Sequence, residues 1–203
     1  KIVIILFPVL FFPIISIILL MNHLVLNWVG DSYEASIRIG QFLIGTFLFA
    51  FLSYPASIML MAYEKTKLIL GISSLLMVVF WGGVFLLSSQ LGILSFALFK
   101  FVSYILSVII FAAFSVKFLN QSILKLSKEY LFSSAISIFV LMVSIHYLQK
   151  LLPVEKSIAN LILVIVTGGI ASLIAILFYF FLNHNFRNEI ISLASRVRQN
   201  FAF

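Results

Sequence analysis

Lys100 is the one charged residue in the hydrophobic run 91–114, and Ser103, Tyr104 and Ser107 follow it at i+3, i+4 and i+7. On an α-helix those spacings place all four on one face, so an ammonium, two aliphatic hydroxyls and a phenol make one polar stripe. The chemistry such a stripe offers is binding: the ammonium has three donors and no acceptor, and the hydroxyls donate beside it. These four residues are therefore candidate substrate-binding residues for something anionic. A lysine at bilayer depth costs about 2.5–3.5 kcal/mol, so it faces a partner or a wet cavity. The alternative is a side chain that snorkels to the outer interface along its own stem. The sequence leaves both readings open.

The residues that are absent narrow the chemistry further. All six acidic residues fall in polar joints or in the tail, which leaves no intramembrane carboxylate for a proton- or sodium-coupled relay. No HExxH, nucleotide-binding loop, paired carboxylate or Ser/His/Asp set occurs. The cysteine count is zero, excluding disulfides, thiolate metal sites and cysteine nucleophiles. The expectation is a protein that is not an enzyme and uses no cofactor or metal. An enzyme acting on lipid-linked sugars would need charged residues in a sizeable outer loop, and the loops here are short. A membrane polymerase or ligase of surface polysaccharide is the rival from another class, favoured if a long outer loop with Arg and His lies elsewhere. A purely structural membrane subunit is the plainest alternative.

The elements that must position the stripe are transmembrane helices. The chain is 64% hydrophobic and 9% charged, with 23 phenylalanines in 203 residues, and its mean hydropathy is +1.25. A soluble domain carries about 25% charged residues. Lipid must solvate this much apolar surface. Six continuous apolar runs are predicted as spans at 2–21, 39–61, 68–87, 91–114, 130–148 and 158–182. Each is near or above the roughly 20 residues that a helix needs to cross a bilayer. Continuous runs argue against the alternating pattern of a transmembrane barrel. The predicted fold class is all-α integral membrane, with six transmembrane helices.

Polar joints are expected at 22–38, 62–67, 88–90, 115–129 and 149–157. If Lys1 is cytoplasmic, the inner side collects Lys1, Lys65, Lys67, Lys117, Lys125, Lys128, Arg187, Arg196 and Arg198, leaving Arg38, Lys150 and Lys156 outside. Nine against three places both ends in the cytoplasm under the positive-inside rule. Basic residues scattered between spans do not form a nucleic-acid-binding face. The partners expected are membrane lipids, not nucleic acid. In the tail, Phe186, Ile190, Leu193, Val197 and Phe201 recur at helical spacing, with Arg187, Arg196 and Arg198 off that stripe. That is the pattern of an amphipathic helix lying on an anionic leaflet; a frayed terminus is the alternative.

Other residues have plainer readings. Pro8, Pro13 and Pro55 interrupt spans and are expected to kink them. Gly168 with Ser172, and Ala171 with Ala175, make small-xxx-small steps that favour close helix contact. Ser133, Ser137 and Ser144 share a face of the fifth span. Thr46, Ala50, Ser53 and Ser57 share one in the second, where packing is favoured over ligand contact. His146 is read as interfacial.

Three stretches carry a family resemblance. Ser53-Tyr54-Pro55 through Ala62-Tyr63-Glu64-Lys65-Thr66-Lys67 ends a helix in a basic cytoplasmic turn, and Leu91-Gly92-Ile93-Leu94-Ser95-Phe96-Ala97 follows as an outer turn. Pro8 and Pro13 precede a joint reading Gly30-Asp31-Ser32-Tyr33-Glu34-Ala35. Over about the first 115 residues the chain resembles the C-terminal region of the polysaccharide (O-antigen type) flippases of the multidrug/oligosaccharidyl-lipid/polysaccharide exporter superfamily. Glu64 and Ser95 stand where that family's turns carry glycine. The resemblance implies a MATE-like C-terminal lobe: four of its helices over 1–115, two additional transmembrane helices over 116–182, and a cytoplasmic amphipathic tail over 183–203. It also implies a preceding N-terminal lobe of the same protein, consistent with a first residue that is not Met. The implied cargo is an undecaprenyl-pyrophosphate-linked oligosaccharide, flipped across the bacterial plasma (inner) membrane by alternating access. A lipid II or drug exporter of the same superfamily is the nearest alternative.

Overall fold

The structure, a computed structural model, describes residues 2–119 and 123–201, with side chains described for 5–51, 53–114 and 132–195. The described residues are helical, with no strand among them. Six long helices follow one another: α1 (Ile2–Trp28), α2 (Ala35–Ala62), α3 (Thr66–Leu91), α4 (Leu94–Leu119), α5 (Ile123–Leu148) and α6 (Ile158–Leu182). An amphipathic seventh, α7 (His184–Phe201), ends the described chain. The first six are long and apolar enough to cross a membrane, the make-up of a multi-pass membrane protein.

The helices outrun the apolar runs that predict them. α1 continues through Asn22 and His23 to Trp28, and α2 starts at Ala35, so the joint expected over 22–38 shrinks to a short link with a 3-10 turn at Asp31–Tyr33. α3 passes through 88–90, expected to be a turn, and reverses at Gly92, whose φ of 54° costs glycine nothing. α4 begins at Leu94 rather than 91, and helix also occupies most of 115–129. The physical reason is common to all these cases: a helix satisfies its own backbone wherever it runs, so it need not stop where side chains turn polar. The side chains of Lys117, Lys125, Lys128, Arg196, Val197, Arg198 and Phe201, and all of Lys1, lie outside the described residues. Lys65 and Lys67 are exposed at the α2–α3 turn.

That turn is a Schellman motif. The Lys65 N–H donates to the Leu60 carbonyl (3.0 Å) and the Glu64 N–H to the Met61 carbonyl (2.9 Å). Glu64 therefore takes the left-handed conformation, φ 55°, that glycine usually fills at this place.

Contacts order the helices as α3, α4, α2, α1, α6, α5, with α5 also touching α1. α1 and α2 run antiparallel, as do α3 and α4, with Gln41 meeting the Ile18 carbonyl and Ser103 the Leu76 carbonyl, and the tight turn at 63–65 sets α3 back against the direction of α2. α2 and α4 consequently run parallel. Two cores form: Phe12, Leu141, Ile145, Ala171, Ala175 and Tyr179 among α1, α5 and α6, and Leu60, Ile72 and Phe111 among α2, α3 and α4.

Candidate functional site

Two phenylalanines flanking Lys100 shape the site. Phe99 packs against Gly83 of α3, where an added Cβ would overlap its ring. Phe101 packs against Gly45 of α2, with a Cβ there only 2.7 Å from the ring, and it sits edge-on to Phe42 and Phe49 at 5.5 and 5.3 Å. Successive residues on a helix point about 100° apart. With Phe99 keyed into α3 and Phe101 into α2, the direction between them belongs to Lys100. α2 and α3 touch each other little. They stand apart on either side of α4 and leave a groove with α4 as its floor.

The groove encloses about 690 Å³. The structure brings Lys100, Ser103, Tyr104 and Ser107 together along its floor. Lys100 is exposed, Tyr104 half-buried, and Ser103 and Ser107 are buried. The Ser103 Oγ donates to the Leu76 carbonyl across the α3–α4 contact at 3.4 Å. Lys100 is the seventh residue of α4, about 9 Å from the helix start at 1.5 Å per residue. Among the described lining residues its charge stands alone.

The walls add polar groups from two other helices. Ser53, Tyr54 and Ser57 come from α2, and Ser73 from α3, followed on the same face by Met77 and Trp81. The Ser53 Oγ donates to the Ala50 carbonyl (3.0 Å), and Thr46 likewise to Leu43 (2.6 Å). The α2 stripe thus does two things: Thr46 and Ser53 are buried in the bundle, while Ala50, Ser53 and Ser57 also face the groove. Ser73 and Trp81 were missed by sequence reasoning, although Ser73, Met77 and Trp81 recur at i, i+4 and i+8. A groove with one ammonium, several hydroxyls and aromatic walls can hold an anion next to a polyhydroxylated group. An anion about 4 Å from an ammonium is attracted by about 4 kcal/mol at an effective dielectric of about 20.

The remaining stripes pack helices. Gly168, Ala171, Ser172 and Ala175 all lie on the buried face of α6. The Gly168 carbonyl accepts from Ser16 Oγ of α1 (3.1 Å) and from Ser172 Oγ (2.7 Å). On α5, Ser133 and Ser137 are buried and Ser144 is half-buried. Asn27, which sequence reasoning passed over, is 1% exposed and clamps the α5–α6 connection. Its Nδ2 donates to the Pro153 carbonyl (3.1 Å), and its Oδ1 accepts from the Glu155 N–H (3.0 Å). Polar side chains in the last turn of an apolar helix are the signal that would have flagged it.

Asn183 caps α7, its Oδ1 accepting from the Phe186 N–H (2.9 Å) while its Nδ2 donates to the Tyr179 hydroxyl (3.1 Å). Phe186 is buried against Tyr179, and Ile190 packs on the same core. The first part of the expected amphipathic stripe therefore faces the bundle, while Leu193 is exposed. His146 is exposed in the last turn of α5 beside Tyr147. Compared with protein-family models, curated proteins and solved structures, the chain matches none.

Proposed function

We propose that the α2–α3–α4 groove receives the anionic headgroup of a lipid-linked oligosaccharide, and that the chain is the C-terminal, MATE-like lobe of a non-enzymatic flippase. The observation that carries this reading is Lys100, held between Phe99 and Phe101 so that its side chain opens into a hydroxyl-lined groove. A pyrophosphate matches the ammonium. The serine hydroxyls and the aromatic walls suit the first sugars, which bind through hydrogen bonds and apolar ring faces. A carrier of cationic drugs would want a carboxylate where this groove has a lysine. In this reading a second lobe of the same protein faces the groove, and the two lobes rock to expose it alternately to the two leaflets. The setting is the bacterial plasma membrane, with both ends of the chain cytoplasmic.

The test is complementation of surface-glycan export by the full-length protein. Lys100→Ala is expected to abolish export at unchanged membrane abundance. Export at the wild-type level by that variant, with abundance measured in parallel, overturns the reading.

A further inference from the structure

A second cleft, of about 550 Å³, runs along the other side of α2, where Leu10, Ile14 and Ile17 of α1 face Ile44, Phe47 and Phe51 of α2. Its lining carries one polar side-chain atom, the hydroxyl of Tyr54, and helix backbone supplies no free donor or acceptor there. It can hold hydrocarbon and little else. What distinguishes it from an ordinary lipid-facing crevice is its neighbour. Ala50 and Tyr54 line both this cleft and the Lys100 groove, so the charged groove and the apolar cleft meet along one ridge of α2. Of the two shared residues Ala50 has by far the smaller side chain.

The two compartments are also in register. Phe101 packs on Gly45, which puts Lys100 level with the start of the cleft at Ile44. Ala50 lies six residues beyond Ile44 along α2, about 9 Å at 1.5 Å per residue. A headgroup at Lys100 has its first chain atoms within the groove and the Ala50 crossing next to them.

We infer that the α1–α2 cleft holds the hydrocarbon chain of the same lipid whose anionic head is bound at Lys100, the chain crossing α2 at Ala50. This rests on the Lys100 reading and adds to it the path of the tail. The occupant is a polyprenyl diphosphate: one molecule with a charged head for the groove and a single methyl-branched, wholly apolar chain for the cleft. A phospholipid lying in the cleft with its phosphate outside the groove would have no reason to depend on Lys100.

The experiment uses the whole chain in nanodiscs with a polyprenyl diphosphate carrying a diazirine midway along its chain, and the matching polyprenol as control. Adducts are mapped by peptide mass spectrometry. Inorganic pyrophosphate binding is followed separately by Trp81 fluorescence in a Trp28→Phe background. The diphosphate is expected to label the Ile44–Phe51 wall at least about tenfold more than the polyprenol. Ile14→Phe, which fills the cleft from the α1 side without adding a tryptophan, should remove most of that labelling and leave pyrophosphate affinity unchanged. Leu10→Phe is the substitute if that variant fails to fold. Lys100→Ala should lower both readouts. Equal labelling by the polyprenol, or diphosphate adducts confined to α3 and α4, overturns the tail path. Pyrophosphate affinity that ignores Lys100→Ala instead overturns the head site on which the path depends.

Discussion

Gly83 of α3 lies against the ring of Phe99 of α4 so closely that no β-carbon fits between them, and Gly45 of α2 receives Phe101 in the same way. These two contacts spread α2 and α3 apart over α4 and aim Lys100 into the space between. Adding a methyl at Gly83 forces either the ring or the helix to move, and overpacking of this kind costs about 1–3 kcal/mol. Gly83→Ala should therefore lower the thermal midpoint in detergent, and Phe99→Leu in the same chain should recover much of the loss. Purely additive losses in the double variant would show that the two residues do not share one contact.

Asn27→Ala should loosen the α5–α6 connection. The substitution removes one donor and one acceptor from a part-buried clamp and leaves the Pro153 carbonyl and the Glu155 N–H without their partner. Each lost hydrogen bond contributes about 0.5–1.5 kcal/mol. Hydrogen exchange across 152–157 should quicken while exchange in α3 and α4 stays as it was. Unchanged exchange in that connection would mean that the clamp does not hold it.

Glu64→Gly should stabilise the protein. Glu64 occupies the left-handed place in the Schellman turn, where a residue with a β-carbon pays about 1 kcal/mol or more. The gain would appear as a higher thermal midpoint. A fall would mean that the Glu64 side chain contributes more than its backbone conformation costs.

Orientation is checked by labelling. Single cysteines at Glu64, in the α2–α3 turn, and at Lys156, in the α5–α6 connection, lie at opposite ends of the helices. They should react with an impermeant reagent from opposite sides of the membrane, Lys156→Cys from outside. Labelling of both from one side would overturn the arrangement of spans.

The stripe Lys100, Ser103, Tyr104 and Ser107 was legible in the sequence because one helix carries it, and spacing along one helix is a direct reading of direction. The small residues Gly168, Ala171, Ser172 and Ala175 were legible for the same reason. The groove itself was not. Its walls come from α2 and α3, and nothing in a run of apolar residues says which helices stand side by side. Ser73, Met77 and Trp81 share a helix face by their spacing, but only the Phe99–Gly83 contact between α3 and α4 turns that face toward Lys100. The helix ends at Trp28 and Leu91 were missed because counting apolar residues locates the bilayer core, whereas the backbone stays helical beyond it.

The central claim is that Lys100 binds an anion in the groove, and the most direct measurement compares affinities of the purified chain for a polyprenyl diphosphate and for the uncharged polyprenol. A hydrogen bond to a charged group contributes about 1.5–3 kcal/mol, so the diphosphate should bind roughly 10- to 100-fold more tightly. Lys100→Ala should erase that preference. Lys100→Arg should keep part of it, since the charge persists while a compact ammonium becomes a planar fork. A Lys100→Ala chain that still prefers the diphosphate to the same degree would contradict the account, leaving the lysine as a side chain that only reaches for the interface.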